Sequence, residues 1–139
     1  MTVANRNEPA MQPFFARSFV AMADGSCCTT IDDVYTVPAG KVLVVEHASG
    51  SSALKPGQLP HFELDVIRAE GGLASAHLLT LTRKGASCAA LSCDVWDFSQ
   101  PVRMYVAGGD TLRFAFARSE GSQFANAQLY VTGYLVDVP

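Results

Sequence analysis

The chain has 139 residues, 49% of them hydrophobic and 17% charged, with a net charge of −3 at pH 7 and a mean hydropathy of +0.18. One domain of this length can bury a core without cross-links, and the composition is apolar for its size. Lysine and arginine are scattered, which argues against a basic nucleic-acid-binding face and a polybasic membrane-surface segment.

The chain also carries no pattern of a membrane span or a secretory signal. No apolar run reaches the roughly 18 to 20 residues that cross a bilayer. The first residues, MTVANRNEPAMQP, lack a basic segment followed by an apolar one. These features predict a protein that stays in the cytoplasm or is exported by a non-classical route.

Strand-like segments follow one another along most of the chain. Residues 1–12 are polar and contain proline, which predicts a flexible arm before a domain over 13–139. Alternating apolar residues, separated by Gly, Pro, Asp and Ser, predict nine strands. These are residues 14–22, 33–37, 41–49, 61–68, 74–83, 87–92, 101–107, 111–118 and 127–137. Short helical turns are the alternative near 52–59 and 122–127.

This spacing of eight or nine strands predicts an all-β, single-domain antiparallel β-sandwich of jelly-roll type. Two predicted strands are apolar on both faces, Val42 to Val45 and the last strand around residues 129–136. One face of each sheet in a sandwich meets solvent, so a strand apolar on both sides predicts a covered outer face. We expect copies of the chain to supply that cover in a homo-oligomer.

Glu46 and His47 stand next to each other at the end of the predicted strand 41–49. Successive strand residues point to opposite faces, so this interpretation excludes a catalytic acid–base pair. A structural or interface role is the expectation for both residues. Arg103 or Arg113, on later strands, is the predicted partner for Glu46.

The other titratable residues form no metal or catalytic pattern. His61 and His77 are isolated in the sequence, and Asp24, Asp32 and Asp33 lack a defined calcium spacing. No GxSxG motif is present for a nucleophilic serine. We therefore expect no metal, no cofactor and no enzymatic activity.

Four cysteines are present, Cys27, Cys28, Cys88 and Cys93. Adjacent cysteines cannot bond each other without distorting the peptide between them, which argues against a Cys27–Cys28 bridge. Cys88 and Cys93 could close a short hairpin as a disulfide, with free thiols as the alternative. A zinc site would require CxxC-type spacing, which does not occur.

The segment SCDVWDFSQP, residues 92–101, contains the only tryptophan. Trp96 lies between Asp94 and Asp97, with Gln100 nearby. An exposed loop with an aromatic face and acidic or amide groups could bind a glycan, whereas a core tryptophan between loop aspartates is the structural alternative.

The segment VPAGKVLVVEHAS begins a set of pieces that resembles small, uncharacterised bacterial all-β proteins of jelly-roll type. The matching pieces are residues 36–46, residues 100–118 and the final GYLV strand, residues 133–136. Similar pieces also resemble jelly-roll modules of phage tails and other appendages. The resemblance implies a sandwich and suggests assembly, and it transfers no catalytic residue.

The sequence therefore predicts a non-enzymatic structural or assembly protein whose partner is itself, as in a phage, appendage or particle component. The alternative hypothesis is a lectin-like module that binds a glycan through the Trp96 segment.

Overall fold

The computed structural model of the chain describes residues 11–86, 88 and 92–139. Within those residues it consists of β-strands and connecting turns, and it includes no helix long and apolar enough to cross a membrane. The strands are β1 (Met11–Met22), β2 (Thr29–Thr36), β3 (Lys41–Leu54), β4 (Pro60–Ile67), β5 (Leu73–Leu79), β6 (Thr82–Gly85), β7 (Asp94–Ala107), β8 (Thr111–Arg118) and β9 (Ala125–Asp137).

The strands form two antiparallel sheets. The five-stranded sheet has the order β1-β9-β3-β7-β6, and the four-stranded sheet has the order β2-β8-β4-β5. Without β6, each sheet has four strands, and consecutive strands mostly alternate between the sheets, which is the arrangement of a jelly roll. The predicted all-β sandwich is thus confirmed, with β6 as an additional edge strand.

The core lies between the two sheets and is built by the inward-facing half of each strand. On β8, for example, burial alternates strictly along the strand from Thr111 to Arg118. Phe62 of β4 packs edge-on against Phe114 and Phe116 in its own sheet. It also packs edge-on against Phe98 of β7, with ring centroids 5.6 Å apart, and this contact joins the two sheets.

Strand β3 is longer than the predicted strand 41–49, because Gly50, Ser51 and Ser52 continue the strand and do not end it. A Cβ at Gly50 would overlap the carbonyl oxygen of Gln128 on β9. Glycine is therefore needed at this position for the close approach of a neighbouring strand, and not for a turn.

The predicted strand 74–83 is two strands. The chain leaves the four-stranded sheet after Leu79 and enters the five-stranded sheet at Thr82. The predicted strand 101–107 is in turn the second half of β7, which begins at Asp94. Most of the predicted strand 87–92 lies outside the described residues. Within residues 52–59, the predicted helical turn is a β-turn around Pro56 and Gly57.

The predicted arm, residues 1–12, lies outside the described residues except for its last two. Met11 and Gln12 belong to β1 and pair with Val136 and Leu135 of β9. The boundary between arm and domain remains a prediction for the rest of the segment.

Arg118, at the end of β8, is a buried cation that organises two loops. Its guanidinium donates hydrogen bonds to the carbonyl oxygens of Ala23 and Ser26 in the β1–β2 loop. It also donates to three carbonyl oxygens of the β8–β9 loop, at residues 121, 122 and 123. A guanidinium can satisfy several fixed carbonyl oxygens at once because its donors lie in one rigid plane.

Candidate functional site

The outer face of the five-stranded sheet divides into an apolar half and a polar half. Strand register places outward-facing residues of neighbouring strands side by side in rows across the sheet. We call the apolar half the apolar end. It consists of Met11, Pro13 and Phe15 of β1, Tyr134 and Val136 of β9, Val42 and Val44 of β3, and Tyr105 and Ala107 of β7.

Large side chains of the apolar end meet solvent. Phe15 is 64% exposed and Tyr105 60% exposed, and Met11 is also exposed. Val44, although it faces outward, is buried between Tyr134 and Tyr105 on the neighbouring strands. The two-sided apolar character predicted for Val42 to Val45 is therefore confirmed, since Leu43 and Val45 lie in the core.

Charged residues lie around the apolar end and not within it. Lys41 and Asp137 form an ion pair at one limit of the sheet. Glu46 and Arg103 lie at the other limit, where the outer face becomes polar. An apolar centre containing tyrosines and surrounded by charges is the usual anatomy of a protein–protein interface.

The polar half of the same face has a different composition. Its outward-facing residues include Ser49 and Ser51 of β3, Ser99 and Asp97 of β7, and Gln128 and Asn126 of β9. Phe19 of β1 and Tyr130 of β9 are the large apolar or aromatic side chains in these rows, and most of the others are small or polar and can stay hydrated at little cost. The contrast within one sheet localises the candidate contact surface to the apolar end.

A β-bulge lies where the sequence analysis placed Glu46 and His47. The pairing of β3 with β7 shifts between Val45 and His47, so that Val45 faces the core and His47 faces outward. His47 is partly buried, with Nε2 3.1 Å from the hydroxyl of Ser99, and Glu46 is exposed. The bulge removes the strict alternation on which the opposite-face prediction depended, and neither residue lies in the core.

The two predicted partners of Glu46 lie on different sheets. Arg113, on the four-stranded sheet, binds Asp33 with Nε 2.7 Å from Oδ1, so of the two alternatives Arg113 is not the partner of Glu46. Arg103 is on the same sheet as Glu46, and its guanidinium lies 3.5 Å from the hydroxyl of Tyr105.

The Trp96 segment does not form the predicted loop, because residues 94–107 are one strand. Trp96 is partly buried and packs against the core, while Asp97 points to the outer face of the sheet. Asp94 is buried and binds Arg83 at 2.9 Å. Gln100 accepts a hydrogen bond from the amide of Thr80. These four side chains do not converge on an exposed aromatic surface, which the glycan hypothesis requires.

The Cys88–Cys93 pair lies beside a cavity of about 510 Å³. The two residues are bonded in the structure, with Cα atoms 5.9 Å apart, within the usual range for a disulfide. Arg83, followed by the amide of Gly57, holds the pKa of Asp94 below its usual value. The charges lining the cavity thus neutralise each other.

A row of titratable side chains lies on the outer face of the four-stranded sheet, and the sequence patterns described above did not predict it. His61, Glu63 and Asp65 alternate along β4 and point outward, and Arg113 of β8 lies beside Asp65. Asp65 is only 8% exposed, and its Oδ1 has no hydrogen-bond partner among the described residues. The i, i+2, i+4 spacing of HFELD in a predicted strand is the signal that could have revealed it.

The pKa values of Asp65 and Glu63 shift in opposite directions. Burial raises the pKa of Asp65 to about 7, assisted by a hydrogen bond with Glu63 and the negative charge of Glu63. The hydrogen bond from Asp65 and then the one from His61 lower the pKa of Glu63. Two carboxyl groups that share one proton behave in this way. Among the described residues, no group of three His, Cys, Asp or Glu is arranged to hold a metal ion.

No protein-family model and no curated protein matches the sequence. The chain is similar in structure to the capsid asymmetric unit of cyanophage Pam1, with 18% identity and a TM-score of 0.47 over 94% of this chain and 87% of that one. It is also similar to a protein of infectious bursal disease virus, Gx strain, with 8% identity and a TM-score of 0.49 over 93% of this chain and 37% of that one.

Proposed function

We propose that this protein is a non-enzymatic structural subunit that assembles with copies of itself through the apolar end, as a component of a phage, appendage or other particle. The observation that supports this proposal is the exposed aromatic and aliphatic surface on one half of the five-stranded sheet. Water contact with such a surface is unfavourable, and its burial is the main favourable term in most protein association.

A second copy of the chain fits this surface better than a charged partner would. The centre of the apolar end contains no charged side chain, so two copies related by a two-fold axis bring no like charges together there. Tyr105 and Tyr134 supply rigid, amphipathic side chains of the kind enriched at interface centres. The charges at the rim, such as Lys41 and Asp137, remain hydrated when the centre is covered.

The test is the oligomeric state of the purified protein, measured by size exclusion with multi-angle light scattering at micromolar concentration. The unmodified protein should elute above the monomer mass of 14.8 kDa. Phe15→Glu and Tyr105→Glu should each shift it toward the monomer, because each places a charge in the apolar contact.

Phe124→Glu is the matched control, since Phe124 is also an exposed phenylalanine but lies in the β8–β9 loop. It should leave the mass unchanged. A monomer for the unmodified protein, or an equal effect of Phe15→Glu and Phe124→Glu, would contradict the proposal. Negative-stain microscopy then distinguishes small oligomers from particles or filaments.

A further inference from the structure

Within the part of the chain that the structure describes, the two sheets have four edge strands, and three of them carry features that discourage pairing with another chain. β1 contains Pro13 and Arg17, and β2 contains Asp32 and Asp33. β6 has only four residues, two of which are Arg83 and Lys84. Charges, prolines and short length are the usual protection of an exposed sheet edge.

The fourth edge strand, β5, has none of these features. Its sequence, LASAHLL, contains no proline, lysine, arginine, aspartate or glutamate. Five of its seven residues are exposed, including Leu78 at 63%, whereas strands in the interior of the sheets are half buried. Among the described residues, β5 pairs only with β4, and no described strand lies along its other edge.

The backbone of β5 is regular enough to accept another strand. One irregularity in its pairing with β4 lies at Ala74, near the start of the strand. The five residues from Ser75 to Leu79 pair in unbroken register with Val66 to Phe62. A regular run of this length is typical of a complete strand in a globular sheet.

We propose that β5 pairs antiparallel with β5 of a second copy, which joins two four-stranded sheets into one continuous eight-stranded sheet. Like charges directly opposite each other destabilise a strand pair. Since β5 carries no fixed charge, two copies can face each other without this penalty. The same arrangement for β6 would place Arg83 and Lys84 against their own copies.

This contact is distinct from the apolar end, which lies on the outer face of the other sheet. It goes beyond the proposed function by adding a second homotypic contact that uses backbone hydrogen bonds in place of an apolar face. One experiment can therefore report on the two contacts separately.

The experiment is amide hydrogen exchange of the full chain at low and high protein concentration. Amides within residues 75–79 should exchange at least about tenfold more slowly at high concentration, because pairing shields them from water. Amides of β6, the charged edge, should show no such change. Protection near residues 42–44 and 105 reports independently on the apolar end.

Leu78→Lys should abolish the concentration dependence within residues 75–79, because it introduces like charges at the edge. The matched control is Leu59→Lys, since Leu59 is 61% exposed but lies in the β3–β4 loop, and it should preserve that dependence. Circular dichroism establishes that both variants are folded.

The remaining outcomes separate the two proposals. Concentration-dependent protection of amides confined to the apolar end overturns β5 pairing and supports the proposed function. Such protection confined to residues 75–79 supports β5 pairing and overturns assembly through the apolar end. Rates independent of concentration at both surfaces overturn both. Protection of β5 that appears only after an unrelated extended peptide is added overturns pairing with a second copy.

Discussion

At the scale of single residues, the most unusual group is Asp65, a carboxyl group buried on the outer side of a sheet. Four charged or titratable groups surround it: Glu63 and His61 on its own strand, Arg113 on β8 and, through Arg113, Asp33 on β2. Its neighbour on β5 is Ala76. Burial and Glu63 outweigh the positive groups, which is why the pKa of Asp65 rises to about 7.

The raised pKa predicts that Asp65 lowers stability as the pH increases. The unfolded chain releases this proton near the ordinary aspartate pKa of 3.8, while the folded chain keeps it to about pH 7. The contribution of Asp65 is therefore greatest below pH 4, declines between about pH 4 and 7, and is constant above. Glu63, with its lowered pKa, acts in the opposite direction at acidic pH.

Asp65→Asn should flatten the decline in stability between pH 4 and 7. At pH 8 it should raise the free energy of unfolding by about 1 to 3 kcal/mol, because it removes a buried charge that lacks full hydrogen bonding. Urea denaturation at a series of pH values measures this. Asp97→Asn, on β7 where the side chain is 43% exposed, is the control and should leave the midpoints unchanged. A parallel decline in both variants would show that Asp65 is not the source.

At the scale of elements, the main departures from the sequence prediction arise where two strands approach each other. Gly50 lies within β3, beyond the predicted end of the strand 41–49, and Gly133 lies within β9, as the predicted strand 127–137 implied. A Cβ on Gly133 would overlap the carbonyl oxygen of Val44, beside the bulge between β3 and β9. Such contacts depend on a partner strand far away in the sequence, so local patterns do not reveal them.

Gly133→Ala should destabilise the protein by about 1 to 3 kcal/mol, since the new methyl group forces two central strands apart. The control is Gly85→Ala on β6, where no atom lies within 4 Å of the added Cβ. That variant should be neutral or more stable by up to about 1 kcal/mol, because alanine has less freedom in the unfolded chain. Thermal or urea unfolding compares the two, and equal losses would rule out the close contact as the cause.

The alternation of apolar residues predicted strands correctly where burial of every second side chain alone determines the bounds of the strand. The strand 111–118 has the predicted bounds because each of its even-numbered residues faces the core. The same reasoning failed at His47, where the bulge reverses the alternation. For Trp96 it left a glycan-binding surface and a core position as alternatives, and the inward orientation follows from the register of β7 on β3. The apolar end could be anticipated from Val42 to Val45, but its extent across four strands required the strand order.

At the scale of the whole molecule, the proposed contact at the apolar end predicts an unusual response to salt. Between about 0.15 and 1 M NaCl the screening length falls from about 8 to 3 Å, which weakens contacts between surface charges. An assembly held by Phe15, Tyr105 and their neighbours should keep its mass or grow over this range. Static light scattering measures the mass, and dissociation at high salt would show that ion pairs hold the copies together.

The burial of the Arg118 side chain affects how readily trypsin cleaves the protein after this residue. Trypsin must take the side chain of an arginine into its own pocket, and the side chain of Arg118 is held inside the fold by five carbonyl oxygens from two loops. Trypsin can therefore cleave the peptide bond between Arg118 and Ser119 only when both loops have released the guanidinium. The rate of cleavage at this bond therefore reports how often that end of the sandwich opens. Mass spectrometry of the fragments measures this rate without an added label.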